Sequence, residues 1–113
     1  MDSFYLRDGI RFDAAGLIVV VVQDHATQRV LMVAYMTEAT LKQTLETRLM
    51  TYWSRSRSSV WVKGETSGNY QEVRDVYIDC DGDALLFSVV QRGRGACHTG
   101  HLSCFFRQLK QPD

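Results

Sequence analysis

Leu17-Ile18-Val19-Val20-Val21-Val22-Gln23, then Val30-Leu31-Met32-Val33-Ala34-Tyr35-Met36, then Thr37-Glu38 leading into Leu41, Leu45 and Leu49: this stretch decides the fold class. The first two runs are apolar and β-branched, and the short polar link Asp24 to Arg29 between them reads as a hairpin. Thr37 offers a helix N-cap, and Glu38 meets the positive end of the helix dipole. Leucines at i, i+4 and i+8 predict a helix over about 38–49 with Leu41, Leu45 and Leu49 facing inward. Downstream the pattern turns to strands: Met50 to Arg57 and Val60 to Lys63 around a Ser58-Ser59 turn, then Val73 to Cys80 and Ala84 to Gln91. One strand from Val73 to Gln91 would run roughly 60 Å, far beyond ordinary strand length, so a bend is expected at Asp81-Gly82. Phe105 and Phe106 read as a last strand. The expected class is α+β, a β-rich small domain with one clear helix.

The chain has 113 residues, 45% of them apolar, which predicts a single domain over residues 1–113. Such a chain buries about two thirds of its unfolded surface, enough for a core without covalent staples. Thirteen Lys+Arg balance thirteen Asp+Glu, so the basic surplus of a sequence-independent nucleic-acid binder is missing. The longest apolar run, Leu17 to Val22, falls well short of the roughly 20 residues of a membrane span. Asp2, Arg7 and Asp8 interrupt the first ten residues, so no secretory leader is expected there. Three cysteines are an odd number, which suits a reduced, cytoplasmic chain using its thiols for metal or catalysis.

Charge is segregated along the chain. Thr47 to Gly64 holds Arg48, Arg55, Arg57 and Lys63 with no acid; Glu65 to Asp83 holds six acids against Arg74; Ala84 to Pro112 is basic again. That order suits a site for anionic substrate groups and metal cations together, or simply a solvated surface.

Three segments carry chemistry. Asp79-Cys80-Asp81-Gly82-Asp83 would, by strand alternation, set three carboxylates on one face and the Cys80 sulfur on the other. Carboxylates suit Mg²⁺ or Ca²⁺ and thiolate suits Zn²⁺, so two metal sites back to back are expected rather than one mixed site. Gly95-Ala96-Cys97-His98-Thr99-Gly100-His101-Leu102-Ser103-Cys104 supplies two more thiols, seven apart. Its spacing is neither that of a zinc ribbon nor that of a zinc deaminase, and three thiolates leave a fourth position for water. His98 is the candidate base or fourth ligand; His101 and His25 read as surface. In Tyr52-Trp53-Ser54-Arg55-Ser56-Arg57, alternation puts Trp53, Arg55 and Arg57 on one face and Ser54 and Ser56 on the other. With Trp61, Lys63 and the Gly64 to Asn69 loop, this set offers indole for a base, guanidinium and hydroxyl for phosphate, and glycine for close backbone approach.

Taken together, Ala34-Tyr35-Met36, Tyr52 to Arg57, Trp61 with Lys63 to Asn69, Asp79 to Ala84, and Gly95 to Gly100 with Ser103-Cys104-Phe105 resemble the phosphoribosyl-AMP cyclohydrolase family, over about residues 16–107. The resemblance implies hydrolytic opening of the adenine ring of N1-(5-phosphoribosyl)-AMP at N1–C6 by zinc-activated water, the third step of histidine biosynthesis. It implies an intertwined homodimer whose zinc is held by Cys80 of one chain with Cys97 and Cys104 of the other, and Mg²⁺ on Asp79, Asp81 and Asp83. His98 is then the base, and Trp53, Ser54, Arg55, Ser56, Arg57, Lys63 and Ser67 bind substrate, with Arg55, Arg57 and Lys63 on its phosphates. The chain departs from the family pattern at His101-Leu102, Val62 and Thr47-Arg48, which leaves the metal ligands intact. Two rival readings are a non-catalytic nucleotide-binding dimer locked by zinc, and a different zinc hydrolase or deaminase of purine-like rings.

Overall fold

The computed structural model describes residues 9–112; the reading of Asp2, Arg7 and Asp8 lies outside them. β1 (Ile18–Asp24) and β2 (Val30–Met36) pair antiparallel from Ile18↔Met36 to Gln23↔Val30. The link between them closes on Asp24, whose Oδ2 accepts from the Thr27 N–H and hydroxyl, both at 2.9 Å. Ile18, Val20 and Val22 are buried while Val19 and Val21 are half-buried, the period-two signature of a strand with one face on the core.

α1 (Glu38–Thr47) begins where Thr37 accepts from the Thr40 N–H at 3.1 Å and Thr40 Oγ1 accepts from the Thr37 N–H at 2.9 Å, a reciprocal cap. It stops two residues earlier than the leucine spacing predicts, because Arg48 turns left-handed at φ 65° and its N–H closes on the Thr44 carbonyl. The inward face also differs. Thr40, Leu41 and Thr44 are buried, whereas Leu45 is exposed and Leu49 half-buried. Threonine outcompetes leucine there because Thr44 Oγ1 donates to the Thr40 carbonyl at 2.8 Å and accepts from the Thr51 N–H at 3.0 Å, latching helix to strand.

β3 (Thr51–Ser54) and β4 (Ser59–Val62) form a two-stranded antiparallel sheet. Arg55 to Ser58 make its turn, with Ser58 at φ 47°, so the expected strand through Arg57 ends at Ser54 and the turn is shifted from Ser58-Ser59. β5 (Gln71–Ile78) and β6 (Ala84–Gln91) pair antiparallel on either side of the expected bend, and β6 runs parallel to β1. The main sheet is therefore ordered β2-β1-β6-β5. Backbone bonds Met50 to Gln71, Lys63 to Met50 and Val73 to Arg48 tie the small sheet to it.

The core gathers Ile18, Val20, Val22, Leu31, Met36, Leu41, Met50, Tyr52, Leu85, Phe87 and Val89. Its polar members are partnered: the Tyr52 hydroxyl donates to Gln71, whose amide donates to Gln91 Oε1 at 2.8 Å. Phe105 and Phe106 form no strand and are exposed. Their segment meets β2 through one backbone bond, Cys104 N–H to the Leu31 carbonyl at 2.7 Å, which is too little to start a ladder. The architecture is α+β and strand-rich with one helix, and no helix among the described residues is long and apolar enough to cross a membrane.

Candidate active site

The acidic segment is a turn between β5 and β6, not a continuing strand. Asp79 organises it, its Oδ1 accepting from the N–H groups of Asp83 (3.0 Å) and Ala84 (3.2 Å). Gly82 sits at φ 80°, and a Cβ there would collide with the Gly9 carbonyl oxygen. Arg11 donates its N–H to the Gly82 carbonyl at 2.7 Å, so residues 9–12 strap the turn. Ligand atoms of Asp79, Asp81 and Asp83 all lie within 4.8 Å of one another, the only such trio among the described residues. Turn closure, rather than strand alternation, brings them together.

Their ionisation reflects this crowding. Asp83 is pushed above the ordinary carboxylate value by its hydrogen-bonding contacts with Asp81 and Asp79. Asp79 is held below it: desolvation by the surrounding turn opposes the charge, but the N–H bonds from Ala84 and Asp83 outweigh that cost. A hard divalent cation is the natural partner of this set. Cys80 is exposed on the same turn.

The second segment folds into a closed loop. Ala96 N–H reaches the Leu102 carbonyl at 2.9 Å, Cys97 N–H reaches His101 at 3.2 Å, and Gly100 N–H returns to Cys97 at 3.0 Å. Gly95, at φ 129°, lies so close to His101 and Leu102 that no side chain fits. Ser103 Oγ pins the loop to the Val30 carbonyl at 2.7 Å. Loop closure thereby turns the seven-residue spacing into proximity, close enough for the charge of Cys97 to act on the Cys104 thiol.

The two thiols are inequivalent. Cys97 is pulled below its ordinary value, first by Thr99, whose Oγ1 lies 2.8 Å from its Sγ. Cys104 is pushed up by burial and by the negative charge of Cys97. Thr99 Oγ1 also lies 2.9 Å from His101 Nδ1, and the His101 ring stacks on Phe106 at 3.6 Å. Thr99 was missed in sequence because a threonine between two histidines carries no signal of its own.

His98 is exposed and lines a cavity of about 390 Å³ with Ser67, Asn69, Arg94, Cys97, Thr99 and Gly100. Asn69 Oδ1 accepts from the Arg94 N–H at 3.0 Å and so ties the Gly64 to Asn69 loop to the thiol loop. Ser67, Cys97 and His98 are thus brought together. The acidic turn lines a different cavity, of about 310 Å³, through Asp83, with Arg11 and Tyr35. Arg55 joins that side, its guanidinium 3.9 Å above the Tyr35 ring.

Trp53 and Ser54 are half-buried; Arg55, Ser56 and Arg57 are exposed in the turn, where Ser54 Oγ accepts from the Arg57 N–H at 3.3 Å. Lys63 departs from this group. It is 6% exposed, and its Nζ donates to the Ala96 carbonyl at 2.6 Å. Within one protomer Cys80 stays apart from the Cys97–Cys104 pair, since the three do not form a trio of close donors.

A thiol pair on a glycine loop, a histidine lining the cavity beside that loop and a carboxylate trio on a separate turn define a class, the small metal-dependent enzymes of α+β architecture. The family model for phosphoribosyl-AMP cyclohydrolase matches residues 32–106. A phosphoribosyl-AMP cyclohydrolase of Chlorobaculum tepidum is 57% identical over 99 residues, covering 88% of this chain and 72% of that protein. The corresponding proteins of Chloroherpeton thalassium and Chlorobium phaeovibrioides are each 54% identical, over 93% and 98% of this chain and 74% and 80% of their own lengths. The chain belongs to the phosphoribosyl-AMP cyclohydrolase family.

Proposed function

We propose that this chain, as one catalytic domain, hydrolyses the N1–C6 bond of the adenine ring in N1-(5-phosphoribosyl)-AMP, the third step of histidine biosynthesis. The observation that carries the reading is the convergence of Cys97, Cys104 and His98 on one loop beside an open cavity, in a chain of this family. The donor set fits zinc: two thiols on one closed loop, one shifted toward thiolate, with a buried ammonium bonded to that loop at Ala96. Cys97 and Cys104 of one copy, with Cys80 of a second, would hold Zn²⁺, which supplies Lewis-acid activation of water when bound. Asp79, Asp81 and Asp83 would hold Mg²⁺, which would supply positive charge to offset substrate phosphate when bound.

The remaining chemistry belongs to side chains. His98 takes a proton from the attacking water. Hydroxide oxygen bonds to C6, N1–C6 breaks, and N1 receives a proton, leaving a carboxamide joined to a formamidine. Trp53 offers its indole face to the purine. Arg55 and Arg57, with the hydroxyls of Ser54, Ser56 and Ser67, orient the phosphates, and such positioning is worth several kcal/mol of the barrier.

A homodimer is supported by the separation of Cys80 from the other two thiols and by exposed Val33, Tyr77, Phe105 and Phe106. Three free cysteines support a reducing, cytoplasmic setting. One assay tests the reading: phosphoribosyl-AMP is added, ultraviolet absorbance is followed with and without a chelator, and ammonia is measured. A chelator-sensitive spectral change without ammonia is expected. Ammonia release would indicate a deaminase, and no turnover a binding module.

A further inference from the structure

Lysine is almost never buried without a charged partner, because taking an ammonium out of water costs several kcal/mol. Lys63 breaks that pattern in an informative way. It follows β4 directly, and its backbone N–H is held by the Met50 carbonyl at 3.0 Å. Gly64 behind it is buried at φ 86°, where a Cβ would strike the Asn69–Tyr70 backbone. The side chain runs inward. Its Nζ lies 5.3 Å from the Trp61 ring centre and donates to a neutral carbonyl, that of Ala96. Among the described residues no carboxylate is within ion-pair distance of it. Ala96 directly precedes Cys97, so the ammonium is held at the root of the thiol loop; burial pushes it below the ordinary lysine range, and negative charge on Cys104 and Cys97 opposes that shift.

A Zn²⁺ ion with three thiolates carries one net negative charge, and a single buried ammonium cancels it. Resting on the reading of Cys97 and Cys104 as zinc ligands, we propose that Lys63 is a positioning residue of the thiol centre, clamping the loop at Ala96 and serving as counter-cation to the sulfurs rather than as a phosphate ligand. The role accounts for what a phosphate-binding role leaves unexplained, namely a buried lysine head set beside an indole and bonded to the carbonyl that precedes Cys97. It also sets the division of labour. The exposed Arg55 and Arg57 meet substrate charge, and Lys63 meets ligand charge.

The test uses the full chain as Lys63→Met, Lys63→Gln and Lys63→Arg beside the unmutated protein. Zinc affinity is measured by competition with a chromophoric chelator, and kcat and KM are measured at saturating zinc. Loss of an outer-shell partner typically weakens metal binding about 10–100-fold, and that loss is expected for Met and Gln, with most of it recovered by Arg. KM for phosphoribosyl-AMP should change less than about threefold at saturating zinc, since the role does not involve substrate binding. Unchanged zinc affinity overturns the proposal, whether or not KM rises. If Lys63→Met fails to fold by circular dichroism, the Gln and Arg variants decide.

Trace acetylation of the unmutated protein gives an independent measurement. Lys42 and Lys110 should react freely, while Lys63 reacts only after zinc is stripped. Equal labelling of Lys63 with and without zinc also overturns the proposal. Absence of zinc binding by the unmutated protein would instead bring down the zinc reading beneath it.

Discussion

The hydroxyl of Thr99 lies 2.8 Å from the sulfur of Cys97, and that contact is the largest influence holding the thiol below its ordinary ionisation range. A thiolate is the metal-binding and nucleophilic form of cysteine, so the hydroxyl favours it at one sulfur while desolvation and the charge of Cys97 disfavour it at Cys104. Thr99→Val should therefore raise the Cys97 value. In metal-free protein the pH at which Cys97 is half-maximally reactive with iodoacetamide is expected to move up, and Thr99→Ser should restore it. An unmoved profile in the valine variant would assign the shift elsewhere.

Cys97 and His98 are adjacent in sequence but separable in role. Cys97→Ser is expected to abolish zinc uptake and turnover together, read by metal analysis and by the absorbance assay. His98→Ala should keep zinc and oligomeric state while slowing turnover roughly 10²–10⁴-fold, the usual contribution of a general base. Unchanged rates in the alanine variant would remove His98 from the chemistry.

The acidic turn ties metal binding to pH through two opposed shifts. Asp83 lies above the ordinary carboxylate value, so it takes up a proton first as pH falls. Asp79 lies below it, so its stabilising contribution is present above the ordinary value and is lost only as pH falls through its lower folded value. The rise in melting temperature produced by Mg²⁺ should accordingly be full at neutral pH and begin to shrink above the ordinary aspartate range. Asp83→Asn removes a charge that the turn disfavours. It is expected to raise the melting temperature of the metal-free protein while erasing the Mg²⁺ response. A variant that still responds to Mg²⁺ would rule out Asp83 as a ligand.

Arg48 ends α1 at φ 65°, a conformation that glycine adopts freely and that a side chain disfavours by about 1–2 kcal/mol. Arg48→Gly should stabilise the protein by up to about 1 kcal/mol after the added flexibility of the unfolded chain is subtracted, measured by urea denaturation. Destabilisation instead would mean that the arginine side chain makes a compensating contact.

Much of this molecule is written locally. The runs Leu17 to Gln23 and Val30 to Met36, the Thr37 cap and the Asp81-Gly82 turn depend on neighbours a few residues away, so their periodicity and turn chemistry are readable from residue order. The candidate donors were likewise legible as residue types, because few side chains can ligate a metal. What the order of residues did not disclose depends on partners distant in the chain. The parallel pairing of β1 with β6 is one case, and the burial of Thr44 in place of Leu45 is another, since its hydroxyl finds Thr51 only once helix and strand dock.

The same reason separates the site's expected members from their observed positions. The seven-position spacing of Cys97 and Cys104 says nothing of distance until Gly95 and the Ala96–Leu102 bond close the loop. Lys63 reads as one more cation beside Arg55 and Arg57 until packing encloses it against Ala96 and leaves the arginines in solvent. Sequence determined which groups this protein possesses and the local elements that carry them. Tertiary structure decided which of those groups share a dielectric, because desolvation and non-local hydrogen bonds exist only after the sheets, helix and loops have packed.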